Sequence, residues 1–316
     1  MAAILRAPRA TATIAGSMNP GLLYALGAFT IWGLFPLYLR ELSSVPSFEV
    51  LLQRSVWSLV FVLGVLAALG RLSTLREVFS QPRRVALFAL SAVLLSANWL
   101  IYLLAVQGGH VLDASLGYFM NPLVNVVLGV LVLKERLRPT QWLAVALAAL
   151  GVAWLTLMAG RPPWYALSLA FSFGLYGLIR KTATLGALEG LALETLLLAP
   201  IVVPALAWWT FANHGALLRG DAALTGLLLV SGPLTALPLL FFAAAARRLP
   251  LATLGLVQYL SPTLQFLLAV WFFHEPFDST RLIGFVGIWA ALAVYSADAL
   301  WQNSRRSAAA AAANPA

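Results

Sequence analysis

Apolar runs long enough to cross a bilayer recur ten times along this chain, near residues 21–39, 48–69, 85–107, 112–133, 141–159, 163–179, 190–210, 223–246, 251–273 and 282–300. A hydrocarbon core about 30 Å thick needs about 20 mostly apolar residues in a helix. The polar links between the runs are short, so the pattern predicts an all-α integral membrane protein of ten transmembrane helices with no soluble domain. Residues 1–17 and the Ala-rich segment 302–316 are expected to be unstructured. Met1 and Met18 are the two candidate starts.

The runs repeat. At an offset of 140 residues Pro122 falls on Pro262, Glu135 on Glu275, Thr140 on Thr280, Glu49 on Glu189 and Arg54 on Glu194. At 141 residues YALGAFTIWGLFPLYLR falls on YALSLAFSFGLYGLIRK. An ordered series of this kind is a tandem duplication, with units at 18–159 and 160–301. Five runs per unit is an odd number, so the second unit enters the membrane from the opposite side to the first. The fold expected is thus two inverted five-helix repeats, an architecture that in secondary transporters places a substrate site at the repeat interface.

Composition narrows the function. The chain is 61% hydrophobic and 10% charged, far from soluble values. It has no cysteine, and His110, His214 and His274 are scattered, so no metal or redox cofactor is expected. The net charge of +9 would suit nucleic acid if it were clustered on a domain. Instead Arg6, Arg9, Arg71, Arg76, Arg83, Arg84, Lys134, Arg136, Arg138, Arg180, Lys181, Arg247, Arg248, Arg305 and Arg306 lie on one side of the ten-run topology, against Arg40, Arg161, Arg219 and Arg281 on the other. That bias predicts a multi-pass protein with both termini cytoplasmic and a basic face suited to anionic membrane lipid.

EVLLQRSVWSLVF, the block ANWLIYLLAVQGGHVLDASLGYFMNP and SGPLTALPLLFFAAAARRLPLATLGLVQYLSPTLQFLLAV resemble the RarD group of EamA-type permeases in the drug/metabolite transporter superfamily. The resemblance runs from about Met18 to Tyr295. It implies a carrier of the bacterial inner membrane built from two EamA repeats, and it does not name a substrate.

The polar residues inside the runs are the candidate site. Arg54 stands roughly 12 Å along its helix from Pro46, near mid-membrane. A charge at that depth costs about 2.5–3.5 kcal/mol on the insertion scale, so it faces either a cavity and an anionic substrate or a carboxylate on another helix. Asn98 and Tyr102 share a helix face with Trp99 beside them, as a cavity wall or as an interhelical amide and an interfacial aromatic. Asn121, Gln258, Tyr259 and Gln265 surround the duplicated prolines Pro122 and Pro262, whose missing donors mark equivalent bends. Glu194 and Glu49 are candidates for proton coupling, with an interfacial position as the alternative for Glu194. Glu135 reads as a salt bridge fixing its loop. The fifth and tenth runs, with Ala144, Ala148, Gly287 and Ala291, are expected to be scaffold helices or a homodimer face.

No GxSG, HExxH or aspartate-rich motif is present, so an enzyme is not expected. Transport of a small metabolite or drug-like molecule by alternating access, with or without proton coupling, is the function expected; the alternative is a membrane sensor or assembly subunit that keeps a carrier's fold.

Overall fold

The computed structural model describes residues 19–107, 111–158, 160, 164–219, 221–272 and 279–313. Helices α1 (Pro20–Glu41), α2 (Ser47–Ala68), α3 (Leu72–Phe79), α4 (Pro82–Gln107), α5 (Val111–Leu131) and α6 (Pro139–Met158) fall in the first of the two units expected from the sequence. Helices α7 (Trp164–Thr182), α8 (Ala187–Ala212), α9 (Ala222–Ala246), α10 (Leu251–Gln258), α11 (Leu260–Leu267) and α12 (Ser279–Ala313) fall in the second. Among the described residues there is no strand. In lipid every backbone polar group must be satisfied within the segment, which a helix does unaided.

Seven of these stretches are long and apolar enough to span a membrane, with Leu251–Phe272 counted as one, and Leu116–Leu131 and Leu282–Asp298 are shorter apolar helices. The remaining expected run is α7, which carries Ser168, Ser172, Arg180 and Lys181 within its 19 residues. The small helix α3 is amphipathic and links α2 to α4. The N-terminal stretch 1–17 lies outside the described residues. The Ala-rich segment differs from expectation: α12 continues to Ala313, because alanine is the strongest helix former and opposes no extension.

Local chemistry sets the ends. Asn19 accepts from the Gly21 amide at 2.8 Å with Pro20 in the first turn of α1, and Asp221 accepts from Leu224 at 3.0 Å at the start of α9, both caps that satisfy orphan donors. Proline acts differently in the two repeats. Pro262 has no N–H to give the carbonyl of Gln258, and the helix breaks at Tyr259 into α10 and α11 before ending in a π-helical turn at Leu268–Phe272. Pro122 sits inside a continuous α5, so the expected equivalence of the two bends does not extend to the helix path. Over Pro122 runs α10, where a Cβ at Gly255 would lie 2.6 Å from the Pro122 carbonyl oxygen.

The packing is specific. Helix α6 lies along α12, α5 against α7 and α10, α1 against α9 and α11, α2 against α8 and α9, and α4 against α7 and α8. Ala144, Ala148 and Ala291 are fully buried, and a Cβ at Gly151 would meet the Gly284 carbonyl at 2.6 Å. The small-residue faces expected to serve a scaffold or a dimer are therefore spent on each other within one chain. Where α2 crosses α9, a Cβ at Gly232 would lie 2.4 Å from the Trp57 backbone. Gly232→Ala must push two helices apart, and overpacking of this kind costs about 1–3 kcal/mol. A lower thermal midpoint in detergent is expected, and an unchanged midpoint would show a looser crossing.

Phe29, Trp32, Phe173, Tyr176 and Phe242 form the aromatic centre where α1, α7 and α9 meet, with Phe173 and Phe242 centroids 5.0 Å apart and Tyr176 stacked on Phe242 at 6.0 Å. This cluster is the floor on which the site rests.

Candidate functional site

Above the aromatic floor is a cavity of about 400 Å³, lined from both repeats. Its walls come from α1, α2, α4, α5, α7, α9, α10 and α11, and it reaches the α1–α2 connection at Leu42, Ser43 and Val45. Small-ligand sites are typically about 300–1,000 Å³ and largely apolar with a few placed polar groups.

Arg54 lines this cavity. Its Nε donates to Thr235 Oγ1 at 3.0 Å across the repeat interface. Its guanidinium lies 4.7 Å from the Phe35 ring centroid and 5.5 Å from that of Trp99, contacts that hold a cation by the ring quadrupole. No carboxylate among the described residues pairs with it, and it is the single charged residue of the described lining.

Asn98, Trp99, Tyr102, Asn121, Gln258, Gln265 and Pro262 also line the cavity, so most of the polar candidates do converge. Several have a structural duty as well. Asn98 Nδ2 donates to Leu169 O and Ser172 Oγ, both at 2.9 Å, tying α4 to α7. Gln265 Nε2 donates to Trp32 O at 3.1 Å, and Gln258 Oε1 accepts from Asn125 at 2.9 Å. Asn121 is buried with its Oδ1 unpartnered. Tyr102 packs edge-on to Tyr118 at 6.0 Å.

Four candidates lie elsewhere. Tyr259 is fully buried outside the lining, its hydroxyl donating to Phe119 O at 3.1 Å, because the break at this residue turns its ring toward α5. Pro122 faces α10 rather than the cavity. Glu49 accepts from the Ala216 amide at 2.7 Å and from Trp209 Nε1 at 3.2 Å, clamping the α8–α9 loop to the start of α2. Both its oxygens are thus engaged in a cap.

Glu194 is buried in the protein rather than at the headgroups. Its Oε1 accepts from Ser91 at 2.6 Å and pairs with Arg180 at 3.4 Å, each side chain 1% exposed in that pair. Tyr176 faces the same carboxylate without closing a hydrogen bond, and Glu194 Oε2 has no partner. Arg180 also donates to Ala187 O at 2.8 Å and stacks over Phe88. A small void of about 10 Å³ touching Ser58, Trp99, Glu194 and Leu239 adjoins the main cavity through the shared residues Trp99 and Leu239.

The end of the molecule opposite the α1–α2 connection is tied by basic residues. Arg71 pairs with Glu189 at 2.5 Å, Lys181 donates to Leu249 O at 2.5 Å and Ala246 O at 3.2 Å, Arg247 donates to Leu185 O, and Arg138 pairs with Asp298. Glu135 accepts from the amides of Leu251 at 2.6 Å and Ala252 at 3.0 Å, capping α10, with Lys181 3.8 Å away. This is the loop-fixing role expected for it, made through backbone amides first. Its counterpart Glu275 lies outside the described residues.

Thr235, Trp32, Phe35 and Tyr118 complete the site without having been signalled by the sequence, and Ser261 joins them from beside the duplicated Pro262. Arg180 was also missed, since it reads as one more loop cation; the signal was Glu194 itself, a carboxylate inside an apolar run that requires a nearby cation.

The profile of the EamA-like transporter family matches this chain twice, over residues 19–157 and 162–297. An uncharacterized transporter of Pseudomonas aeruginosa is 49% identical over 92% of this chain and 97% of its own length. Protein RarD of Streptomyces exfoliatus is 48% identical over 91% of both chains, and protein RarD of Escherichia coli is 42% identical over 91% of this chain and 97% of its own. A solved crystal structure at 20% identity superposes with a TM-score of 0.66 over 88% of this chain and 98% of that one, which shows a common fold. The chain is a RarD-like membrane protein and belongs to the EamA-like transporter family.

Proposed function

We propose that the chain is a permease of the bacterial inner membrane that carries a small molecule through the Arg54 cavity by alternating access, in a conformation open at the α1–α2 end and closed at the other. The observation that carries the reading is the cavity itself, lined from both repeats and closed at one end by the cross-repeat ties of Arg71 to Glu189 and of the Leu251 amide to Glu135.

Contacts that recur between the two halves support an inverted two-state cycle. The packing of α5 on α7 has its counterpart in α11 on α1, that of α4 on α7 in α9 on α1, and that of α2 on α9 in α8 on α4. At residue level Gly33 meets Leu264 and Gly174 meets Val124, the same pair exchanged between repeats. Two halves with equivalent contacts of opposite orientation give two states of similar energy, which rocking interconverts. The ties of Arg71 to Glu189 and of Glu135 to Lys181 break when the closed end opens. Glu194, with its free oxygen beside the void that adjoins the cavity, is the candidate for coupling that movement to a proton.

The basic closed end is assigned to the cytoplasm. The chain has no cysteine, so single cysteines report sidedness directly. His214→Cys, in the loop clamped by Glu49, is expected to react with an impermeant maleimide in intact cells, whereas Ser73→Cys and Thr140→Cys are not; the opposite pattern inverts the assignment. Transport is tested by a thermal-shift screen of the purified protein against metabolites and drugs, followed by uptake of each ligand found into proteoliposomes. Binding without uptake would favour the sensor reading.

A further inference from the structure

We infer that the cavity takes a small organic monoanion, a carboxylate with a planar apolar body. The inference rests on the permease reading of the site and adds the chemistry of its cargo.

The argument begins with Arg54. A guanidinium has five N–H donors in a fixed fork that matches a carboxylate. Only Nε is engaged here, by Thr235, and that bond together with the flanking rings of Phe35 and Trp99 fixes the plane of the group. The remaining donors have no hydrogen bond or ion pair with the described residues. Among the described residues, the buried carboxylates are committed elsewhere: Glu49 to the α8–α9 loop, Glu189 to Arg71, Glu194 to Arg180 and Ser91, Asp298 to Arg138. A cation held rigid in a cavity within the membrane region, with its fork unused, is arranged for an oxyanion that arrives with the ligand. One cation in the described lining balances one negative charge, which favours a carboxylate over a phosphate dianion.

The rest of the ligand follows from the lining. Trp32, Trp99 and Phe173 supply flat apolar surface, suited to a planar body.

Matched acids and amides separate charge from shape. Full-length protein purified in detergent is melted with 3-(4-hydroxyphenyl)propionate or 3-(4-hydroxyphenyl)propanamide, and with indole-3-acetate or indole-3-acetamide. At equal concentration the acids are expected to raise the melting temperature of the natural chain and the amides to leave it nearly unchanged. Arg54→Ala, checked for a single symmetric peak on size exclusion, is expected to lose the acid effect. Arg54→Lys should keep a weaker one, needing about tenfold more acid for the same shift, equivalent to about 1.4 kcal/mol. Amides as effective as acids, acids as effective on Arg54→Ala, or no shift from either acid would each overturn the assignment. The acid–amide comparison on the natural chain holds even if the variant folds poorly. Uptake is scored separately: an acid that binds through Arg54 but never enters proteoliposomes leaves the anion site standing and removes the permease reading.

Discussion

Arg180→Met is expected to collapse the yield of folded protein, and Glu194→Gln added to it is expected to restore most of that yield. The two side chains are each 1% exposed and form an ion pair 3.4 Å long in the interior, with Ser91 donating to the same carboxylate oxygen. Removing the arginine strands a carboxylate that has one unpartnered oxygen already. Breaking a buried pair from one side costs about 3–5 kcal/mol, whereas replacing both members by neutral groups is often close to neutral. Arg180 also donates to Ala187 O at 2.8 Å. That loss is common to the single and double variants, so the difference between them isolates the charge pair. Monodisperse fraction and thermal midpoint in detergent are the measurements. A double variant no better than Arg180→Met would show that the pair is not what Arg180 supplies.

Alkylating a cysteine placed at Leu51 is expected to reduce transport to background. Leu51 lines the cavity one turn before Arg54, between that residue and the α1–α2 connection. Because the natural chain holds no cysteine, the reagent attaches only there, and the same preparation before and after labelling is its own control for folding. Unlabelled Leu51→Cys should carry the ligand found by the thermal screen, and N-ethylmaleimide should stop it. The ligand should also slow the labelling. Transport that persists after mass spectrometry shows complete modification would place the route elsewhere.

How much was legible in the sequence differs residue by residue. Arg54 announced itself because a charge deep in an apolar run has few physical outlets, and the structure gives it one of the two expected surroundings, a cavity without a described carboxylate. Asn98 combined both of its readings, wall of the cavity and interhelical tie. Glu49 and Glu194 looked alike as carboxylates in or near a span. One became a cap over backbone amides, the other half of a buried pair. Nothing local distinguishes these outcomes, since each depends on what a helix from the other repeat presents at that depth.

The sequence by itself determined the family, the helical segments, the duplication and the polar residues held inside apolar runs, because a bilayer penalises every exception to apolarity and so makes each exception visible. Tertiary structure decided which face of each helix meets the cavity. Helices α8 and α9 are apolar nearly all round, so lipid and protein neighbours suit them equally and no stripe marks the inward side. Only the close crossings fix that rotation, at Gly232 against Trp57, Gly255 against Pro122 and Gly33 against Leu264. They turn Thr235, Gln258 and Ser261 toward Arg54's cavity and Tyr259 away from it.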